Sequence, residues 1–415
     1  MSGGGLTQLV AVGAQDVTLT SESGISLWKS SFNRGKLFSI ESIEQSISGS
    51  VDYGSSCSFT LSRSGDLVAG LMFELVLRRG PSGVSDPLPY YPSEHFFEGV
   101  ELLIGGQRID FIPHNWLRLY AQMYYNKTQK ATYDDMTNFS VETQGQERTF
   151  YVPVPFFFNN AWNTKVSLPL IALQYHEVEF RLKFAKASNI VGIDTTFTPK
   201  LRVYADYVFL DSPERIWFAQ NPHEYVITQL QNQNQIVSVG NTNRMYKMYL
   251  NFNHPVKAIT WVLSPGDAYH GIFTCLPGET YDNTAAPIEK ATILLNGIER
   301  FTERPGRYFQ VANPWLSMYG MSVTSGVYVY NFGTNNYLSK VQRGTMNFSR
   351  IDNAILRFTT KAAVIATPPA TRTQATTDES QTYTQNSTLR NMEVFATNYN
   401  VLRIMSGMGG LAYAN

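Results

Sequence analysis

The chain carries short segments in which apolar and polar residues alternate, and this two-residue period is typical of β-strands that bury one face. Residues 177–184 (EVEFRLKF) and 201–210 (LRVYADYVFL) show the period most clearly, and residues 57–62 (CSFTLS) show it as well. Residues 67–77 (LVAGLMFELVL) are almost continuously apolar, which predicts a strand covered on both faces. Glycine and proline turns separate the segments. The pattern therefore predicts a chain built mainly from strands.

One part of this pattern occurs twice. Residues 99–110 (GVELLIGGQRID) predict a hairpin, and so do residues 291–301 (ATILLNGIERF). Each hairpin is followed by a similar aromatic stretch, WLRLY at residues 116–120 and WLSMY at residues 315–319. The predicted turn residues are Gly105 and Gly106 in the first copy and Asn296 and Gly297 in the second. The aromatic residues expected to wedge into the sandwich behind each hairpin are Trp116, Tyr120, Trp315 and Tyr319.

Two further pairs of segments recur in the same order. Residues 259–263 correspond to residues 73–77, and residues 353–360 correspond to residues 177–184. The separations of the paired segments stay between 176 and 199 positions (353 − 177 and 315 − 116). A duplicated domain with loop insertions and deletions explains this order better than chance matches between short apolar strings.

The β pattern breaks at residues 211–215 (DSPER). Asp211 or Ser212 is suited to cap a helix that has Pro213 at its first position and extends to about Gln220. Residues 125–147 are polar and without period, so we expect a long loop there. The predicted divisions are an N-terminal arm at residues 1–26, a first domain at 27–212, a linker with a short helix at 213–223, and a second domain with the C-terminal tail at 224–415.

Many short strands, glycine and proline turns and few helices predict an all-β chain of two tandem antiparallel jelly rolls, each of eight strands, with short helices in the connecting loops. The length of 415 residues fits two domains of ordinary size.

Charged residues make up only 16% of the chain, and aromatic residues make up 13%. Soluble domains carry about 25% charged residues. Two explanations stay open: the surface is covered by copies of the chain or by neighbours, or it is a β-protein surface rich in uncharged polar residues. The 33 basic and 33 acidic side chains balance, which argues against direct nucleic-acid binding.

No catalytic, metal-binding or cofactor-binding motif emerges, so we predict that the chain is not an enzyme and holds no metal or cofactor. His176 and His223 each begin a pattern like H-E-x-x-H, but no second histidine follows. Residues 407–412 (GMGGLA) match G-x-G-x-x-A without the strand and helix that would hold a pyrophosphate. Cys57 and Cys275 lie in apolar segments, where we expect buried free thiols.

The N-terminal residues lack the features of a secretory signal, and no apolar run approaches the ~18 residues that a membrane span needs. Four N-x-[ST] sequons occur. Asn126 and Asn138 are the better candidates for glycosylation, Asn386 is a further candidate, and Asn347 is the least suited because it begins an apparent core strand.

The chain closely resembles the major capsid proteins of large nucleocytoplasmic double-stranded DNA viruses, of the chlorovirus and iridovirus type. The resemblance extends from residue 3 to residue 413. The matching segments are GGLTQLVAVGAQD, SIESIEQSISGSVDYG, SRSGDLV, VELLIGGQRID with WLRLY, FAQNPHEYVITQLQ, LLNGIERFTERPGRYF, GVYVYNF, MNFSRIDNAILRF and NYNVLRIMSGMGGLAY.

The resemblance implies a double jelly roll whose homotrimers, with a pseudo-sixfold outline, act as capsomers that tile an icosahedral shell beside neighbouring capsomers. It implies a protein of the virion that is assembled in the host cytoplasm. The N-terminal arm would contact minor capsid proteins on the inner side of the shell, above a viral membrane into which the chain itself does not insert.

Residues 20–34 (TSESGISLWKSSFNR) depart from the family pattern, although Trp28, Lys29, Phe32 and Arg34 are kept. A minor, paralogous capsid component is therefore one alternative. A jelly-roll carbohydrate-binding module is an alternative from a different class.

Overall fold

The computed structural model describes most of the chain. The described residues are 13–15, 37–80, 91–139, 144–159, 166–190, 192–238, 243–265, 288–317, 326–333, 344–361, 373–375, 380–382 and 389–413. The chain divides into two compact units, Met1–Phe38 and Ser39–Asn415. Residues 13–15 and 37–38 are the described part of the first unit. Most of the predicted arm at residues 1–26, and also Cys275, Tyr319 and Asn386, lie outside the described residues.

The strands that precede residue 211 form two antiparallel sheets. One sheet has the order β1-β10-β4-β7, with the short β8 beside β4, and the other has the order β2-β3-β9-β5-β6. The strands are β1 (Phe38–Gln45), β2 (Ser48–Gly49), β3 (Ser56–Thr60), β4 (Leu67–Arg78), β5 (Phe97–Ile104), β6 (Gln107–Pro113), β7 (Glu147–Pro153), β8 (Leu168–Pro169), β9 (Val178–Phe184) and β10 (Lys200–Leu210).

The strands that follow residue 222 repeat this arrangement. One sheet has the order β11-β22-β13-β17 and the other has the order β12-β19-β14-β15. The strands are β11 (His223–Ser238), β12 (Arg244–Tyr249), β13 (Pro255–Pro265), β14 (Ile288–Leu295), β15 (Ile298–Glu299), β16 (Arg304–Pro305), β17 (Val327–Asn331), β18 (Met346–Asn347), β19 (Ala354–Thr360), β20 (Thr373–Ala375), β21 (Ser380–Thr382), β22 (Leu389–Met405) and β23 (Met408–Leu411).

The two halves match strand by strand. In sheet order, β1, β10, β4 and β7 correspond to β11, β22, β13 and β17, and β3, β9, β5 and β6 correspond to β12, β19, β14 and β15. Each half is thus a sandwich of eight principal antiparallel strands with a few short ones added, as far as the described residues go. The predicted all-β class is confirmed, and the duplication read from the sequence appears as a repeated topology.

The core of the first sandwich is rich in phenylalanine. Phe59 and Phe180 stack with their ring centroids 4.9 Å apart, and Phe73 packs edge-on against Phe59 at 6.2 Å. β4 does not have two fully covered faces as predicted. Phe73, Leu75 and Leu77 are buried, whereas the alternate residues Met72, Glu74 and Val76 are only half-buried on the outer face. Strand geometry explains this, because successive side chains point to opposite faces of a sheet.

Five short α-helices connect the described strands. They are α1 (Pro92–Phe96), α2 (His114–Tyr124), α3 (Lys127–Thr137), α4 (Ser212–Gln220) and α5 (Asn313–Ser317). α4 is the helix predicted at the linker, where the Ser212 N–H donates to Asp211 Oδ1 at 2.8 Å. A π-helical turn, Tyr308–Ala312, leads directly into α5.

The prediction of a long loop at residues 125–147 is wrong, because α3 occupies much of this segment. Asn126 and Gln129 form a reciprocal capping box: the Gln129 N–H donates to Asn126 Oδ1 at 2.8 Å, and the Asn126 N–H donates to Gln129 Oε1 at 2.9 Å. Only Tyr133 and Thr137 of this helix are buried, so it has no continuous apolar stripe. The apolar period that reveals most helices is therefore missing from its sequence.

Candidate functional site

The repeated hairpins have turns of the same geometry. Gly105 and Gly106 connect β5 to β6 with φ of 57° and 80°, and Asn296 and Gly297 connect β14 to β15 with φ of 50° and 81°. Two consecutive positive φ values are characteristic of the two-residue turns that match strand twist. After the first hairpin the chain continues directly into α2, and after the second it passes through β16 and the π-helical turn into α5.

α2 joins the two halves of the chain. Trp116 is 3% exposed, and its ring lies 5.3 Å from that of Phe395 on β22, between ring centroids. Met123 accepts a hydrogen bond from Thr260 Oγ1 on β13 at 3.5 Å. The first-half stretch WLRLY is thus a helix that packs against the outer face of the second-half sheet, whereas the sequence suggested a wedge into its own sandwich. Tyr120, on the same helix, is only partly buried against the core.

A polar contact accompanies this apolar one. Asn115 Nδ2 donates to Glu393 Oε2 at 2.6 Å, and Asn391 Nδ2 donates to Glu393 Oε1 at 2.8 Å. Burial raises the pKa of the Glu393 carboxyl, and the two amide donors oppose that rise. The carboxylate therefore has a hydrogen bond on each oxygen at the junction between the halves.

A buried ion pair holds α2 against its neighbouring helices. Arg118 donates to both carboxylate oxygens of Glu94 on α1, at 3.0 and 2.7 Å, and to Asp134 on α3 at 2.7 Å. Its guanidinium carbon lies 3.1 Å from the centroid of the Tyr91 ring. Burial raises the pKa of Glu94, and Arg118 counteracts this by attracting the charged form. One side chain thus links three helices, α1, α2 and α3, and holds α2 in position for the contact with Phe395.

A second polar cluster connects β6 with β11. Asp110 Oδ1 accepts hydrogen bonds from the backbone N–H groups of Phe111, at 2.9 Å, and of Leu230, at 3.1 Å. Burial raises the pKa of Asp110 to about 7. Beside it, Gln229 Nε2 donates to the Ile109 carbonyl oxygen, and its Oε1 accepts from Asn400 Nδ2 at 2.9 Å. No sequence signal connects residues so far apart along the chain.

The C-terminal hairpin forms a third contact between the halves. β22 turns into β23 through Ser406 and Gly407, with φ of 52° and 78°. The Gly409 N–H donates to His176 Nδ1 at 3.1 Å, and the Leu411 N–H donates to Gln107 Oε1 at 3.2 Å. The glycines of residues 407–410 therefore let the tail approach the first half closely.

The second aromatic stretch has a different environment from the first. Trp315 on α5 is 81% exposed and Leu316 is 66% exposed. The prediction that Trp315 wedges into the sandwich of its own chain is wrong, because α5 buries Asn313, Pro314 and Ser317 and so directs Trp315 outward. Tyr319 lies outside the described residues.

The described glycosylation candidates lie at the two ends of α3. Asn126 is exposed, and its Oδ1 is the atom that caps the helix. Asn138 is half-buried, and its Oδ1 accepts from the Tyr91 N–H at 3.3 Å.

Within the described residues, no three His, Cys, Asp or Glu side chains cluster in a way that could hold a metal ion. No helix in that part of the chain is long and apolar enough to cross a membrane. Cys57 is a buried free thiol.

Comparison with family models finds two matches that follow one another along the chain. Residues 26–211 match the "Major capsid protein N-terminus" model, and residues 214–410 match the "Large eukaryotic DNA virus major capsid protein" model.

Related proteins align with this chain over nearly its full length and over their own full length. The major capsid protein of Paramecium bursaria Chlorella virus 1 is 41% identical, and the alignment covers 99% of this chain and 100% of the relative. The major capsid protein of Pyramimonas orientalis virus is 35% identical, with 100% of both chains covered.

Solved structures agree with these matches. A chain of the PBCV-1 virus capsid superposes with a TM-score of 0.81 at 37% identity, covering 94% of this chain and all of that one. The Faustovirus major capsid protein superposes with a TM-score of 0.71 over 95% and 94% of the two chains, and its 12% identity supports the fold alone.

Proposed function

Because the chain belongs to the major capsid protein family of large eukaryotic DNA viruses, we propose that three copies associate into a homotrimer with a pseudo-sixfold outline, and that these capsomers tile an icosahedral shell. The chain is a structural capsid protein and not an enzyme. Its task is geometric, so the features that matter are the shapes of its two sandwiches and the surfaces between them.

The repeated strand order carries this proposal. Sheet β1-β10-β4-β7 and sheet β11-β22-β13-β17 have the same topology, and the halves are joined by α2, the β6–β11 cluster and the C-terminal hairpin. One chain therefore presents two similar sandwiches in a fixed relation. Three such chains around a threefold axis present six, which is the number that hexagonal packing requires.

The remaining assignments are proposals that rest on the family. The domain divisions are those at residues 1–26, 27–212, 213–223 and 224–415. The arm would contact minor capsid proteins on the inner side of the shell, and capsomers would contact each other at their rims. Assembly would take place in the host cytoplasm. Glycans would be carried at Asn126, Asn138 or Asn386, and of these Asn126 combines an exposed side chain with an amide nitrogen that the helix cap does not use.

Sedimentation of the purified chain tests the proposal. A trimer has a mass of about 140 kDa, three times 46.7 kDa. A stable trimer is expected, and a persistent monomer would contradict it. A glycan array run in parallel addresses the carbohydrate-binding alternative, since specific retention of the monomer would favour that class. A trimer that co-purifies with virions in much smaller amounts than another capsid chain would favour a minor component.

A further inference from the structure

Two adjacent apolar side chains, Trp315 and Leu316, project from α5 into solvent. The helix beneath them is firmly held: Ser317 Oγ donates to the Asn313 carbonyl oxygen at 2.6 Å, and the Asn331 N–H donates to Asn313 Oδ1 at 3.1 Å. Tryptophan is mostly buried in folded proteins, and exposed tryptophans on a rigid support are typical centres of interfaces. An anchored helix also loses little conformational entropy when its exposed face is covered.

The first half of the chain shows what such a tryptophan packs against. Trp116 and Leu117 occupy the corresponding place in the sequence repeat, and both are almost fully buried. Trp116 is covered by the outer face of sheet β11-β22-β13-β17, where its ring lies 5.3 Å from that of Phe395. One row of that face consists of three side chains paired across neighbouring strands, Phe395, Thr260 and Val329.

The corresponding sheet of the first half offers the same face without a cover from the described residues. When β4 is aligned with β13 through the repeat, Glu74 takes the place of Thr260. The register then makes Arg202, Glu74 and Tyr151 the equivalent row on β10, β4 and β7. Tyr151 is 41% exposed, and the Arg202 side chain is 62% exposed. The donor pair on α5 and the open row on β10-β4-β7 are thus the two unmatched parts of one repeated contact.

We propose that Trp315 and Leu316 of one copy dock on the Arg202–Glu74–Tyr151 row of the next copy, as Trp116 docks on the second half within the chain. This inference rests on the proposed trimer and names its binding surfaces. The indole packs over the Arg202 guanidinium and the Tyr151 ring, a favourable contact for both.

The chemistry of the row suits a contact between separate copies. The row inside the chain is largely apolar, because it is covered as soon as the chain folds. The row on β10-β4-β7 carries the Arg202–Glu74 ion pair, with Nη1 and Oε1 3.7 Å apart. This surface is exposed until assembly, and its charges keep the unassembled chain from presenting a large apolar patch that would cause aggregation.

The contact is heterologous, since each copy donates α5 and accepts with a different face. Such contacts either close into a ring or continue as an open filament. In the proposed trimer the ring closes at three copies, so that six sandwiches alternate around one axis. Three junctions then lie within chains and three lie between them.

The donor side is tested with Trp315→Ala combined with Leu316→Ser in the full chain. Sedimentation equilibrium is expected to show the dissociation constant of the trimer raised by at least about 30-fold, the size of a hot-spot loss. Trp217→Ala is the matched control, because Trp217 is 54% exposed on α4 and lies outside the proposed contact. Far-ultraviolet circular dichroism and thermal unfolding of both variants establish that the chains are folded.

A mixing experiment tests the direction of the contact. A Tyr151→Asp and Arg202→Asp variant has an intact donor, and the Trp315 variant has an intact acceptor. Each alone is expected to be monomeric. Mixed, they are expected to form a dimer of about 93 kDa, twice 46.7 kDa, because one donor and one acceptor still match and the ring cannot close. A mixture that stays monomeric would overturn the proposed pairing.

The outcomes separate this inference from the proposed function. If the unaltered chain never trimerises, the proposed function fails. If it trimerises and the Trp315 variant trimerises equally well, the trimer stands and the inferred contact is wrong. Should the variants fold poorly, p-benzoylphenylalanine at position 316 gives a second measurement: ultraviolet cross-linking to peptides of β7 or β10 in another copy supports the contact, and cross-linking to any other segment overturns it.

Discussion

The ring of Trp116 lies 5.3 Å from the ring of Phe395, although the two residues belong to different halves of the chain. Trp116 lies on α2, and Phe395 lies on the outer face of β22, between Val394 and Ala396, which face the core of the second sandwich. This contact joins the two sandwiches within one compact unit. The proposed trimer needs such a junction, because each chain would contribute two of its six sandwiches.

Removing this contact is expected to destabilise the whole fold. Trp116→Ala should lower the free energy of unfolding by about 3–5 kcal/mol, because a large buried aromatic side chain is lost and a cavity remains. Denaturant unfolding followed by circular dichroism measures the change. Trp217→Ala is the control and should change stability by less than about 1 kcal/mol, since its side chain is half exposed. Equal effects of the two substitutions would show that Trp116 does not anchor the halves.

The buried Arg118–Glu94 pair gives a second prediction. Arg118→Met keeps the length of the side chain but leaves the Glu94 carboxylate buried without its partner, so we expect a loss of about 3–5 kcal/mol in the free energy of unfolding. Arg181→Met, which breaks an exposed pair with Glu179, should cost at most about 1 kcal/mol. Urea titrations of the two variants side by side provide the comparison, and a loss below 1 kcal/mol for Arg118→Met would contradict the structural role of the pair.

Asp110 should make stability depend on pH. Its pKa is raised from an ordinary value of 3.8 to about 7 by burial, so the folded chain retains a proton that the unfolded chain has already released. By linkage, the contribution of this group to stability is greatest below the unfolded pKa and is lost as the pH rises from about 4 to about 7.

Asp110→Asn should remove this dependence. The amide oxygen can still accept from the Phe111 and Leu230 N–H groups, and no charge is buried. The variant is expected to be more stable than the parent at pH 8, with a smaller difference at pH 5. Chemical unfolding at the two pH values measures this, and a variant that is less stable by the same amount at both would show that Asp110 is charged and well solvated in the folded chain.

The C-terminal hairpin approaches the first half so closely that a single methyl group should disturb it. A Cβ at Gly409 would lie 2.5 Å from Leu173 Cδ2 and 3.2 Å from Ile104 Cγ2. Gly409→Ala should therefore destabilise the chain by about 1–3 kcal/mol through overpacking. Leu173→Ala in the same chain makes room, so the double variant should lose less than the sum of the two single losses. Strict additivity in thermal unfolding would argue against the contact.

Two tryptophans of the repeat have opposite environments, and the sequence alone does not reveal this difference. Trp116 and Trp315 stand in matching motifs, yet one is buried and the other exposed. Hydrophobic periodicity identified the strands and the duplication, because strand patterns depend on local alternation. It could not distinguish the two tryptophans, since their burial depends on which surface another part of the chain brings to them.

The sequence also failed to predict a helix and a long-range contact, for different reasons. α3 was missed because its sequence lacks an apolar stripe, although the capping box of Asn126 and Gln129 was a usable signal. The contact of Asp110 with the Leu230 backbone joins positions 120 residues apart. Nothing in the local pattern of either segment indicates that they meet.

Electron microscopy of the purified full chain, with class averages viewed along the symmetry axis, tests whether three chains form a capsomer with a pseudo-sixfold outline. Particles of threefold symmetry with six lobes of similar size, one for each sandwich of three chains, are expected. Particles with only two lobes, or rings with a number of lobes other than six, would contradict the proposed trimer.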